Sequence, residues 1–181
     1  NYLKGKRVLI TGAGGSIGSE LCRQACQQGA AEIVLLGRGE NRIHWIYSEL
    51  REAYPEIKLT PVIANITCRD ALEPVWCEHQ PELVFHAAAH KHVYLMEYAP
   101  CEAVRNNITG TAMVADLCEE YGVGLVVTIS TDKAAAPSSV MGATKRVGEL
   151  VLLSRPRRNT DFISVRFGNV IGSEGSVLQI F

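Results

Sequence analysis

Asp132 and Lys133 place a carboxyl and an amine side by side, directly after the apolar run Leu125 to Ser130. Such a pair can hand protons on and off when its surroundings shift both pKa values towards neutrality. It can equally be a plain ion pair at a strand end, and residue type leaves both readings open. A second constellation is Thr11-Gly12-Ala13-Gly14-Gly15-Ser16-Ile17-Gly18, with glycines 12, 15 and 18 three apart. Glycines so placed allow a tight turn, let backbone approach a pyrophosphate, and let the next helix pack closely. The N–H groups at that helix's start would face the phosphates. His86, His90 and His92 offer three imidazoles, but no fixed helical spacing presents them, so no metal is expected. Met141 and Lys145 lie four apart and share a helix face.

These residues need a scaffold, and the pattern around them supplies one. Short β-branched runs, at Arg7–Thr11, Glu32–Leu36, Lys58–Ile63, Leu83–His86, Leu125–Ser130 and Phe162–Phe167, read as strands. Helical stretches separate them: Ser16–Gln28, Glu40–Tyr54, Asp70–His79, a long tract from Cys101 to Tyr121, and Val140–Ser154. Gly29 and Pro55 stop the first two. The alternation predicts a Rossmann-like α/β fold, a doubly wound parallel sheet with helices on both faces. The strands are apolar almost throughout, as sheets covered on both sides require. One NAD(P)-binding domain over residues 1–181 is expected. The end of the second strand should select the cofactor. It carries no acid, but Arg38 stands there and can pair with a 2′-phosphate, which favours NADP; Glu40 close by keeps NAD open.

Composition narrows the partners. The 181 residues are 47% hydrophobic and 20% charged, which excludes disorder. A net charge of −1 gives no basic excess for nucleic acid or a membrane surface. No apolar run approaches a membrane span. Six scattered cysteines match no zinc spacing and are expected reduced and structural, in the cytoplasm.

The glycine loop resembles that of the extended short-chain dehydrogenase/reductases. Four more stretches sharpen the likeness: Phe85 to Val93 (FHAAAHKHV), Ser130 to Ala134 (STDKA), Val140 to Arg146 (VMGATKR) and Val165 to Ser173 (VRFGNVIGS). Together they are similar to the nucleotide-sugar 4,6-dehydratases of bacterial polysaccharide biosynthesis, which act on UDP-N-acetylglucosamine and its relatives. The resemblance spans essentially the whole chain. It implies a tightly bound, recycled NADP, or alternatively NAD, held by Gly12, Gly14, Gly15, Ser16, Ile17, Gly18, Arg38, Asn65, Ile66 and Ala87 to Ala89. Asn65 replaces the family's usual Asp beside the adenine.

For the chemistry the resemblance implies Asp132 as acid, with a raised pKa, and Lys133 as C5 base, its pKa lowered by desolvation or by the Lys145 cation. Lys145 would orient the nicotinamide ribose, Asn107 would support it through solvent, and Thr131 would bond the C4 oxygen. Met141 stands where most of the superfamily has a Tyr base, as in the membrane-linked branch of the family. The C4 base is then open, and Asp132, starting as a carboxylate, is the reading preferred here. His90, Lys91, His92, Arg166, Asn169 and Ser176 are expected at the UDP-sugar substrate, although Arg166 could be a structural pair. The resemblance further implies a C-terminal substrate domain beyond Phe181, so that this chain binds cofactor without turnover. It also implies a possible N-terminal membrane region and a possible homo-oligomer. The rival readings are a nucleotide-sugar 4-epimerase, which shares the hydride step, and a non-catalytic NAD(P)-binding module.

Overall fold

A computed structural model describes residues 2–156, 159–168 and 170. Six strands form one sheet: β1 (Arg7–Thr11), β2 (Glu32–Gly37), β3 (Lys58–Ile63), β4 (Leu83–His86), β5 (Leu125–Thr131) and β6 (Asp161–Phe167). Their order is β3-β2-β1-β4-β5-β6 and every pairing is parallel. The order reverses between β1 and β4, and open sheets bind ligands outside the carboxyl ends of strands at such a reversal.

The two-residue period of the strands splits the core into two layers. Val8 and Ile10 of β1, with Ile33 and Leu35 of β2, pack under α1 (Ser16–Gln27) and α2 (Glu40–Ala53) through Cys22, Ala25, Ile43, Ile46 and Leu50. Leu9, Val34, Leu36 and Val84 point the other way, against Leu72 and Trp76 of α3 (Arg69–His79) and Val114 and Leu117 of α6 (Gly110–Glu120). Each fully buried side chain of this size contributes about 1.5–3 kcal/mol of transfer free energy.

The long helical tract expected from Cys101 to Tyr121 is continuous from Pro100 to Glu120, with a π-helical turn inside it. The chain forms α4 (Val93–Tyr98), then α5 (Pro100–Val104), a π-helical turn over Arg105–Thr109, and only then α6. Pro100 starts α5 in the first turn, where its missing N–H costs nothing. The wider π turn holds both Asn106 and Asn107 buried, and such turns recur at functional sites. α7 (Val140–Leu153) follows a short 3-10 turn at Asp132–Ala134. All six cysteines are free, as expected, but Cys68, Cys77 and Cys101 are exposed, not core residues. Among the described residues no helix is long and apolar enough to cross a membrane.

Candidate functional site

β1 ends in the glycine loop, and the loop's geometry explains its composition. Gly12 sits at φ +70°, and a Cβ there would come within 2.7 Å of the Ala88 nitrogen. A Cβ on Gly18 would lie 2.0 Å from the Gly12 carbonyl oxygen. The loop is thus wedged between β4's exit and α1, with its backbone bare. Gly15 caps α1 without a side-chain hydrogen bond, and the first turn carries no acidic residue, so the helix dipole's positive end is unopposed there. A pyrophosphate fits this cradle. Gly14 matters for a further reason: a Cβ would lie 2.6 Å from the Arg42 Cβ, which brings α2's first turn onto the loop. Arg42 was not legible as a loop neighbour, because nothing in the spacing places α2 there.

At the tip of β2, Arg38 is about half exposed, and its Nη1 lies 3.6 Å from the Glu102 carboxylate on α5. At the tip of β3, Asn65 turns its Oδ1 to the Thr67 N–H (3.1 Å), and Ile66 is buried against Gly110 of α6.

β4 delivers His86, which is fully buried between two threonines. The Thr111 hydroxyl donates to the Asn107 carbonyl (2.8 Å), so it can only accept from His86 Nε2 (3.0 Å). His86 Nδ1 must then accept from the Thr11 hydroxyl (2.7 Å). Burial pushes this imidazole's pKa down to about 3, so it is a neutral brace between β1, β4 and α6. Ala87 and Ala88 are both tied to Thr11, through its carbonyl and its hydroxyl.

Next, Asn107 clamps His90 at two points. Its Nδ2 donates to the His90 carbonyl (3.1 Å) and its Oδ1 accepts from the His90 N–H (2.8 Å). The same Nδ2 donates to Thr144, the neighbour of Lys145 (3.1 Å). Asn107 therefore reaches this region by direct bonds to the loop and to α7. The His90 ring contacts Glu102 (Nε2 to Oε1 3.2 Å), and Lys91 and His92 are exposed. No group of three or more His, Cys, Asp or Glu that could hold a metal occurs among the described residues.

β5 ends in Thr131, and the chain turns at once. Asp132 Oδ1 accepts from the Thr131 hydroxyl (2.9 Å), the Lys133 N–H (2.9 Å) and the Lys133 ammonium (3.1 Å). The hydrogen bonds from Lys133, then from Thr131, hold the Asp132 carboxyl below the usual carboxylate range. The expectation of a raised pKa is thereby corrected: the group is exposed and charge-paired, so it stands as a carboxylate at neutral pH. The burial expected to lower a lysine's pKa is found at Lys145 instead. Its Nζ donates to the Ile129 carbonyl (2.6 Å), and desolvation brings it down to about 8.

Ser139 caps α7 through its hydroxyl, which accepts from Gly142 N–H. A Cβ on Gly142 would come within 2.5 Å of the Lys133 carbonyl oxygen, so glycine lets α7 abut the Asp132–Lys133 turn. Met141 is buried with Met96 and Ala103, and its thioether has no proton to transfer. The Arg166 fork is spent on Glu149 (2.8 and 2.6 Å), the structural pairing, and the sheet surface around it is exposed. Asn169 and Ser176 lie outside the described residues.

The glycine loop, Ala87–His92, Asp132–Lys133 and Lys145 thus share the carboxyl edge of the sheet, linked through Ala88, Asn107 and Gly142. This arrangement can hold a dinucleotide over β1 and β4 and set an acid–base pair at the end of β5. A cavity of about 500 Å³ lies at the opposite edge, among Arg7, Gln80, Glu82 and Gly124. There Arg7 Nε donates to the Gln80 carbonyl and Lys6 pairs with Glu82, so its charges are already satisfied.

Residues 8–181 match the family described as polysaccharide biosynthesis protein. The chain is 52% identical to the capsular polysaccharide biosynthesis protein CapD of Staphylococcus aureus, over 99% of this chain and 30% of that protein. It is 32% identical to a UDP-N-acetylglucosamine 4,6-dehydratase (inverting) of Campylobacter jejuni, over 98% of this chain and 53% of the enzyme. A UDP-glucose 4-epimerase of Rickettsia rickettsii is 31% identical, over 97% and 52%. Among solved structures, that of Pen from Bacillus thuringiensis superposes with a TM-score of 0.88 at 33% identity, over 99% of this chain and 55% of that one. The chain therefore spans between about a third and about half of the proteins it matches. On its glycine loop, its strand order and this family match, the chain belongs to the polysaccharide biosynthesis proteins, a nucleotide-sugar dehydratase family of the extended short-chain dehydrogenase/reductases.

Proposed function

We propose that the intact protein is a 4,6-dehydratase that converts a UDP-N-acetylhexosamine, UDP-N-acetylglucosamine in the first instance, into its 4-keto-6-deoxy derivative. The observation that carries the reading is the Asp132–Lys133 pair, set at the carboxyl end of β5 against α7. A 4-epimerase returns its hydride to the same carbon and has no elimination to catalyse, so it has no use for this pair. A binding module needs neither group.

Bound NAD(P) supplies the hydride acceptor at C4 and the hydride donor at C6. Asp132, a carboxylate at the outset, takes the C4 hydroxyl proton as that carbon becomes a ketone. The Thr131 hydroxyl, which donates to the Asp132 carboxylate at rest, turns to donate to the C4 oxygen once Asp132 is protonated. Protonation of Asp132 removes the negative charge with which the Lys133 ammonium is paired, and the ammonium then gives one proton to solvent, which leaves a neutral amine as the base and is reversed at the end of the cycle. Lys133 takes the C5 proton, now acidified by the ketone. Asp132 gives its proton to the C6 hydroxyl, which leaves as water, and Lys133 returns a proton to C5. Lys145 holds the nicotinamide ribose as a cation, and Met141 fills apolar space where a tyrosine would have competed for the C4 proton. His90, Lys91 and His92 face the sugar nucleotide.

Incubation of the intact protein with UDP-N-acetylglucosamine and NADP⁺, followed by mass spectrometry of the sugar, tests the reading. The expected result is loss of one water with no net reduced cofactor. An isomer of unchanged mass would establish the epimerase instead. Arg38 makes NADP the preferred cofactor, because its guanidinium lies at the tip of β2 and can turn from Glu102 to a 2′-phosphate. Replacing Arg38 with Gln is expected to weaken NADP⁺ about tenfold, by loss of one charge-assisted contact, and to leave NAD⁺ within about twofold. Titration of protein fluorescence with each cofactor checks this.

A further inference from the structure

We infer that Glu149 is a positioning residue, one that sets the end of β5 and keeps Lys145 in its charged form. The inference rests on the role proposed above for Lys145. Glu149 lies one helical turn beyond Lys145 on α7, and the two side chains bind consecutive residues of β5. Lys145 Nζ donates to the Ile129 carbonyl (2.6 Å), and the Ser130 hydroxyl donates to Glu149 Oε1 (2.5 Å). The next residues along the chain are Thr131, Asp132 and Lys133. Glu149 thus anchors the segment that carries the acid–base pair, while Arg166 of β6 grips it with both nitrogens of its fork and Arg146 adds a third cationic bond (3.0 Å).

The carboxylate is deeply buried, and Arg166, chiefly, holds its pKa down to about 2, so it is charged throughout the working range. The elements packed on α7 bring other titratable groups, but each has its own partner. Asp132 pairs with Lys133, Glu102 with His90, Glu97 accepts from the Val140 N–H, and Arg155 of the α7 exit binds Asp116 and Glu119. His86 is neutral. Glu149 is the carboxylate whose charge opposes the desolvation of Lys145. Above about pH 8 Lys145 loses its proton, and without Glu149 it would lose it at lower pH.

The test reads Lys145 directly in the intact protein, through the pH dependence of its labelling by an amine-specific reagent, with peptide mass spectrometry. The midpoint is expected near 8 in the parent. Glu149→Gln should move it down by about one unit or more, since a neighbouring opposite charge is lost. Glu149→Asp should restore most of that shift. Arg166→Gln, which keeps the carboxylate and removes an opposing cation, should move the midpoint up, and Arg146→Gln, which removes a single contact to Glu149 and leaves the Arg166 fork in place, should move it the same way with less cost to the fold. The basic limb of turnover should follow the same order. A midpoint that stays put in both variants, or a uniform loss of activity at every pH, would overturn the inference. Because labelling needs no turnover, absence of dehydrated product in the parent would count against the proposed reaction alone.

Discussion

Asp132→Asn in the intact protein is expected to lower dehydratase turnover by about 10²–10⁴-fold, the range a positioned proton-transfer group supplies. The loss should appear at the first step. Asp132 begins as a carboxylate, held low by Lys133 and Thr131, so it is the group able to receive the C4 proton. Its amide cannot receive one. In a single turnover the transient absorbance of reduced nicotinamide should therefore vanish in Asp132→Asn. Lys133→Met should still show that transient, because C4 oxidation precedes the step this amine serves. The side chain is exposed and sits on the surface of the turn, so Asn should change folding stability by no more than about 0.5 kcal/mol. Equal loss of the transient in both variants would place the C4 base elsewhere.

Gly18→Ala is expected to have the other large effect, on cofactor affinity. The added methyl would lie 2.0 Å from the Gly12 oxygen and 3.0 Å from the Ala13 Cα, all rigid backbone. Relief requires the glycine loop to move off α1, at a cost of about 1–3 kcal/mol for an overpacked site. Spent wholly on cofactor binding, that is about 5–150-fold in Kd. Gly15→Ala makes a useful contrast, since its nearest contact is 3.3 Å and a small shift accommodates it. Isothermal titration of both variants with NADP⁺ should therefore separate them clearly.

The sheet was legible because parallel strands buried on both faces must be apolar runs, and each of the six runs became a strand. The glycine loop was legible because only a tight backbone approach requires so many glycines between a strand and a helix. What escaped sequence reading depends on contacts between distant residues. Within residues 93–120 Pro100 marks the break between α4 and α5, but no residue type announces the π turn, from which Asn107 bonds both the His90 backbone and Thr144. Glu149 has the spacing of an ordinary surface helix residue, and its burial arises only when Ser130 and Arg166 come to meet it from two strands. The lowered pKa of Asp132 has the same kind of origin. A carboxyl beside a lysine in sequence need not touch it, and here both its amine and its N–H do.

That Met141 replaces the usual tyrosine links these points. With a buried thioether on α7, the proposed reaction takes its C4 base from the β5 turn, which offers a carboxylate already braced by Thr131. Gly142 then becomes as important as the charged residues, because it lets α7 close on the Lys133 carbonyl.

The central claim is elimination across C5 and C6, and it is tested most directly by running the reaction of the intact protein in D₂O. Dehydration through Asp132 and Lys133 predicts a product that has lost one water and carries one solvent deuteron at C5, read by mass spectrometry and proton NMR. An epimerised sugar of unchanged mass with no deuterium at C5 would contradict the account.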